Sequence, residues 1–171
     1  MRKVILGLIT LGCLCSCVSY DTYYKLDPNY QARRQMETRR FEAKNEQEML
    51  IAAAQVLQDL EFTIETTETS LGLITGTKDR KVTPTAGQVA ITLLAAFSKT
   101  QPVYDVDQKI FATIVSSKSK TNPGYNVRVE FARIVWNNRK ESRMEKITDK
   151  QIYINFFDKL SESLFLTAND L

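Results

Sequence analysis

Between Leu50 and Leu60 the apolar residues Leu50, Ala53, Ala54, Val56, Leu57 and Leu60 recur mostly at three- and four-residue steps. That period lays them along one face of an α-helix, with Gln47, Glu48, Gln55, Gln58 and Asp59 largely on the other side. Asn45 stands where a helix cap accepts from the first free backbone amides. Glu48, three residues on, completes an N-x-x-E variant of the capping box. The period then changes. Phe62 and Ile64 alternate with Thr63 and Glu65, which is strand spacing. The polar run Thr66–Ser70 reads as a hairpin turn, after which Leu71, Leu73 and Thr75 continue one face of a second strand. Gly72 and Gly76 allow close backbone approach or a bulge in it.

The same reading extends to the rest of the chain. Met36–Phe41 predicts a short leading strand, and the β-branched and aromatic run Lys109–Ser116 predicts a longer one. Asn122-Pro123-Gly124 is a turn signal. Tyr125, Val127, Val129 and Phe131 then alternate with Asn126, Arg128 and Glu130, the clearest period-two run in the chain. Ala132, Ile134 and Trp136 suggest a change of face near Arg133, through a bulge. Asn137-Asn138 turns the chain into a polar strand over Ser142–Ile147, and Thr148 with Gln151 repeats the capping-box spacing. Tyr153, Phe156, Phe157, Leu160 and Leu164 form the apolar stripe of a final helix. The expected fold is α+β: an antiparallel sheet of roughly four to six strands with two main helices packed on one face. An apolar helical insert is added at 82–104, where VTPTAGQ leads into the nearly unbroken run Val89–Phe97.

The N-terminus changes the picture most. Arg2 and Lys3 precede an apolar run, Val4–Leu14, broken only by Gly7, Thr10 and Gly12. It is about half the length of a spanning helix and fits the h-region of an export signal. The run ends in Leu14-Cys15-Ser16-Cys17, which resembles the lipobox of bacterial lipoproteins. The resemblance makes Cys17 the acylated residue, with Cys13 as the alternative; Cys15 is disfavoured by Leu14 before it. With Val18 rather than Asp after Cys17, the family's sorting rule implies the outer membrane, the chain facing the periplasm from an acyl anchor. The expected organisation is a signal peptide at 1–16, the lipidated Cys and a tether at 17–34, and one domain at 35–171. Tyrosines 20, 23, 24 and 30 in the tether could instead lie at the lipid interface or dock on a partner.

Removing residues 1–16, which hold Arg2 and Lys3, leaves 155 residues and takes the balance from 23 basic against 20 acidic to 21 against 20. No basic face for nucleic acid is expected. The chain has no His, and all three Cys lie at positions 13, 15 and 17, which removes the usual triads and most metal sites. Asp105, Asp107, Glu130 and Asp158 show no spacing that pairs carboxylates across a cleft, and Ser117-Lys118-Ser119-Lys120 looks like a solvated strand end. The expectation is a protein that is not an enzyme and carries no cofactor or metal. Candidate contacts with a partner or ligand are Lys78 and Arg80 in a basic turn, Val89, Leu93, Leu94 and Phe97 in the insert, and Trp136 as an anchor. Against these stand the plainer readings: a solvated charge run, an insert tucked on the core, and a half-buried core Trp.

The Ala/Leu helix running into LEFTIETTETSLGLITG, and the later NPGYNVRVEF strand, resemble the helix-grip domains of a lipoprotein component of the outer-membrane β-barrel assembly machine. The likeness covers roughly residues 45–166. Leu57–Lys81 with the FARIVWN and FFDKLSESLFL stretches is more closely similar to a family of small bacterial lipoproteins without assigned function. This chain departs from the assembly-machine lipoprotein, which has two such domains, in having one domain and the apolar insert. The resemblance implies fold and compartment. Two functions follow: a lipid-anchored module that binds another envelope protein, or a lipoprotein that holds a lipid or small hydrophobic ligand.

Overall fold

A computed structural model describes residues 28–82 and 102–168 of the chain. The chain divides into two compact units, 1–31 and 32–171, and the whole sheet lies in the second. Helix α1 (Tyr30–Glu37) leads into β1 (Thr38–Phe41) and helix α2 (Glu46–Asp59). Next come β2 (Thr63–Glu68), a 3-10 turn (Thr69–Leu71) and β3 (Leu73–Lys81). The long strands β4 (Asp105–Lys118) and β5 (Tyr125–Asn137), the short β6 (Ser142–Lys146) and helix α3 (Lys150–Ala168) complete the domain. All strand pairs are antiparallel, in the order β1-β5-β4-β3-β2, with β6 also on β5. β1 pairs with residues 125–128 of β5 and β6 with residues 132–136, so these two short strands lie end to end along one edge. The fold is α+β, an antiparallel sheet with helices, as the pattern predicts.

The helices cover one sheet face. Met49, Leu50, Ala52, Ala53, Val56 and Leu57 of α2 are buried, and so is every residue of the predicted α3 stripe. They meet Ile74, Ala112, Ile114, Val127, Val129 and Phe131 from the alternating positions of β3, β4 and β5. Phe131 stands edge-on to Tyr153 and Phe156, with centroids 5.5 and 5.8 Å away, and Phe41 lies 6.0 Å from Phe157. Burial of side chains this large contributes about 1.5–3 kcal/mol each. Asn45 Oδ1 accepts from Glu48 N at 2.8 Å, while Glu48 Oε2 accepts from Lys44 N at 2.6 Å. The cap is therefore real, with its return bond one residue earlier than in the standard box. Asn45→Ala is expected to lower stability by about 1 kcal/mol, measured as a shift in urea midpoint.

Several local expectations differ from the structure. Thr66–Glu68 is strand, and the turn falls at Thr69–Leu71, leaving Leu71 exposed. β2 is an edge strand, so polar threonines suit it and no apolar alternation is required. Gly72 ends that turn at φ +62°, and a Cβ there would run into the Ser116 carbonyl oxygen. Lys78–Lys81 belongs to β3 and is not a turn. β5 keeps its odd-numbered residues on the helix face to its end; the irregular pairing lies on β4, between Asp105 and Asp107. Asp149, not Thr148, caps α3, its Oδ1 accepting from Gln151 N at 2.9 Å.

Tyr30–Arg34, read as tether, and Met36–Glu37, read as strand, are helical. Their residues are mostly strong helix formers, and Arg33 Nε sits 3.4 Å from Glu37 Oε1 one turn on. Glu37 is only 4% exposed. Desolvation and then Glu130 push its carboxyl above the ordinary 4.5, against Arg33, Lys146 and Arg128. The folded state thus holds this proton more tightly than the unfolded one, so stability falls as pH rises from 4.5 through the raised value. Glu37→Gln is expected to remove that fall and to leave stability at pH 7 unchanged or higher. Urea midpoints of both proteins at acid and neutral pH check this; a clear loss at pH 7 would show that the Arg33 pair outweighs the desolvation.

Candidate functional site

Because side chains alternate along a strand, the positions opposite the core share the other sheet face. Register places Leu73 beside Val115, Phe111 beside Ala132, and Ile134 beside Met144, with Trp136 next along β5. None of these is buried: Met144 is 71% exposed and the others are half-buried. They form an apolar band on the face that α2 and α3 leave uncovered. Charged pairs flank it, Lys109 with Asp79 at 3.6 Å and Lys146 with Glu130 at 4.0 Å. An antiparallel sheet that simply met water would be polar here. An apolar centre with a polar rim is the composition of a contact surface.

On the helix side the sheet extends past the helices. There Arg143 makes two 2.7 Å bonds to the Asp105 carboxylate and another to Glu145 Oε1. Arg133 holds the second Glu145 oxygen at 2.7–2.8 Å. The Arg143 bonds hold Asp105 below its ordinary range, bonds from Arg143 and Arg133 do the same for Glu145, and Arg143 is raised. Val135, which pairs with Gln108 and Arg143, is buried within this array. The array holds the sheet end together. Of the carboxylates weighed for acid–base chemistry, Asp105 pairs with Arg143, Glu130 with Lys146, and Asp158 with Arg39 at 3.0 Å.

Two cavities open nearby. One, of about 490 Å³, lies at the end of β3 and β4, lined by Asp79, Arg80, Lys81, Asp107, Gln108 and Trp136. The other, of about 270 Å³, lies between the end of α2, the sheet and the first turns of α3. Phe62, Ile110, Phe131 and Phe156 line it, with Leu60, Ile147 and Ile152. Its polar lining is Lys78, Arg80 and Asn155. Lys78 Nζ donates to the Leu60 carbonyl at 3.0 Å and to Glu61 Oε2 at 2.6 Å. Glu61 holds φ +64° just past α2, so this lysine ties down the left-handed exit of the helix. Its hydrogen bond, and next its charge, hold the Glu61 carboxyl below the ordinary range.

Of the predicted contact residues, Lys78 and Arg80 share the smaller cavity, and Arg80 and Trp136 share the larger. Lys78 is engaged within the fold, whereas Arg80 has neither ion pair nor hydrogen bond among the described residues. Cys13, Cys17, Val89, Leu93, Leu94 and Phe97 lie outside the described residues. The apolar band and the smaller cavity were not read from the sequence. Their available signals were Ile152, apolar yet off the α3 stripe, and the even-numbered apolar residues of β5. Among the described residues no group of three His, Cys, Asp or Glu is placed to hold a metal ion, and no helix is long and apolar enough to cross a membrane. The chain matches no protein-family model and no curated protein sequence.

Proposed function

We propose that this chain is a cell-envelope module, anchored at the outer membrane through acylated Cys17, that binds a protein partner and performs no chemistry on it. The observation that carries the reading is the apolar band Phe111, Ala132, Ile134, Trp136 and Met144, on the sheet face opposite α2 and α3 among the described residues and rimmed by ion pairs. The Arg2/Lys3 start, the short apolar run and the Leu14–Cys17 motif support the anchor. Met144→Asp and Ile134→Asp place charge at the centre of the band. Tagged full-length chains carrying either change should keep their melting temperature within a few degrees. After cross-linking in cells and affinity purification they should lose the partner recovered with the parent chain. Ile51→Asp, on an exposed position of α2, should retain it. Undiminished capture by both folded band variants would rule the band out as the contact. A second reading, a carrier of a small hydrophobic ligand, is favoured by the ring-lined cavity beside Arg80.

A further inference from the structure

We propose that the cavity between α2, the sheet and α3 binds a single-chain anionic amphiphile, its alkyl chain against Phe62, Phe131 and Phe156 and its charged head at Arg80. The assignment rests on the ligand-carrier reading and is independent of the open sheet face. The lining divides by chemistry. Its apolar members come from the sheet, from α3 and the residue leading into it, and from Leu60 and Phe62 just past α2, while its polar members, Lys78, Arg80 and Asn155, include no carboxylate. A neutral oily ligand would gain nothing from these polar groups, whereas an oxyanion with a tail would use Arg80 and Asn155 together with the apolar lining.

Each polar group has a definite state. Lys78 is committed to Glu61 and the end of α2. Arg80 makes no ion pair or hydrogen bond among the described residues, and its planar fork suits a carboxylate or phosphate. Asn155 Oδ1 accepts from Gln151 Nε2 at 2.8 Å, which leaves its amide N–H groups for a ligand oxygen. Ile152, at the rim, is 39% exposed, so the apolar lining reaches solvent and gives a chain an entry. The size also selects. A volume of about 270 Å³ is just below the roughly 300–1,000 Å³ of ordinary ligand pockets, enough for one short chain and too small for a two-chain lipid.

The test uses the full chain with Cys17→Ser, which removes the expected acylation site, labelled on its Ile methyl groups for NMR. Decanoate, decyl phosphate and uncharged decanol are titrated in turn. The expected result is saturable movement of the Ile110, Ile147 and Ile152 methyls while Ile134, on the open face, stays still. Decanol should bind about tenfold more weakly than the better anion, and Arg80→Gln should remove that advantage. Preference for decanoate identifies a free fatty acid as the source, and preference for decyl phosphate a single-chain phosphate ester such as a lysophospholipid. Ile152→Trp, which fills the rim, should abolish both. Equal binding of decanol and the anions, an unchanged preference in Arg80→Gln, or unsaturable movement that includes Ile134 would overturn the proposal. None of those outcomes bears on partner capture by the band.

Discussion

Phe131→Ala is expected to destabilise the domain by about 3–5 kcal/mol, a large part of the roughly 5–15 kcal/mol that holds a domain folded. Phe131 is 4% exposed and sits at the centre of an aromatic cluster, its ring 6.1 Å from Phe62 as well as beside Tyr153 and Phe156. Its carbonyl accepts from Ile147 N at 2.9 Å, and the Ile147 carbonyl accepts from the Tyr153 hydroxyl at 2.7 Å. The ring thus joins the sheet to α3 where the chain enters that helix. Neighbours fixed by these bonds cannot collapse into the space that Ala would leave, which puts the cost at the high end for a cavity. Urea unfolding should show a large fall in midpoint, and thermal unfolding a fall on the order of 10 °C. Leu71→Ala, at a position 68% exposed, should stay within about 0.5 kcal/mol of the parent chain.

Gly72→Ala should be far more damaging than a single added methyl usually is. Its φ of +62° already disfavours a side chain, a cost of about 1–3 kcal/mol. The new Cβ would also meet the Ser116 carbonyl oxygen and stand 2.8 Å from Glu46 Oε1. Relief by backbone movement is blocked, because Ser116 N donates to the Gly72 carbonyl at 2.8 Å and Ser116 is itself buried between β3 and β5. Gly76→Ala tests the reasoning by contrast. That residue has no positive φ, and its Cβ would lie 3.2 Å from the Thr63 carbonyl and 3.5 Å or more from the other nearest atoms. The order of midpoints should be parent, then Gly76→Ala, then Gly72→Ala. Equal losses at the two positions would contradict this reasoning, because conformation and crowding are both more severe at Gly72.

The parts legible from the sequence share one property: a single physical demand acted on them. The α2 and α3 stripes had only to bury one face, so Val56, Leu57, Tyr153 and Phe157 announce it by spacing alone. The alternation Val127, Val129, Phe131 did the same for β5. Where two demands overlapped, the pattern misleads. Beyond Phe131, β5 is apolar on both faces: Val135 is buried beside the Arg133–Glu145–Arg143 array, while Ala132, Ile134 and Trp136 line the open band. A two-sided strand has no period to read, and the even-numbered residues imitate a change of face. β2 misleads for the opposite reason, since an edge strand with little to bury has the composition of a turn. The smaller cavity was hidden differently. Phe62, Arg80, Ile110 and Ile152 come from separate parts of the chain, and only the sheet register and the crossing of α3 bring them together. Arg80 itself was legible as a candidate, because clustered cations are a recognisable signal for an anion.

We propose that the apolar sheet face, not the helical side, meets the partner. The most direct measurement places a photo-reactive amino acid at Met144 or at Ile51 of the full-length protein in living cells, with irradiation before extraction. Both positions are exposed, 71% and 51%, so reactivity with solvent is comparable and the readout is proximity. A discrete protein adduct is expected from position 144, disappearing with Cys17→Ala, and none from position 51. An adduct confined to position 51, or the same adduct in equal yield from both, would contradict the proposal.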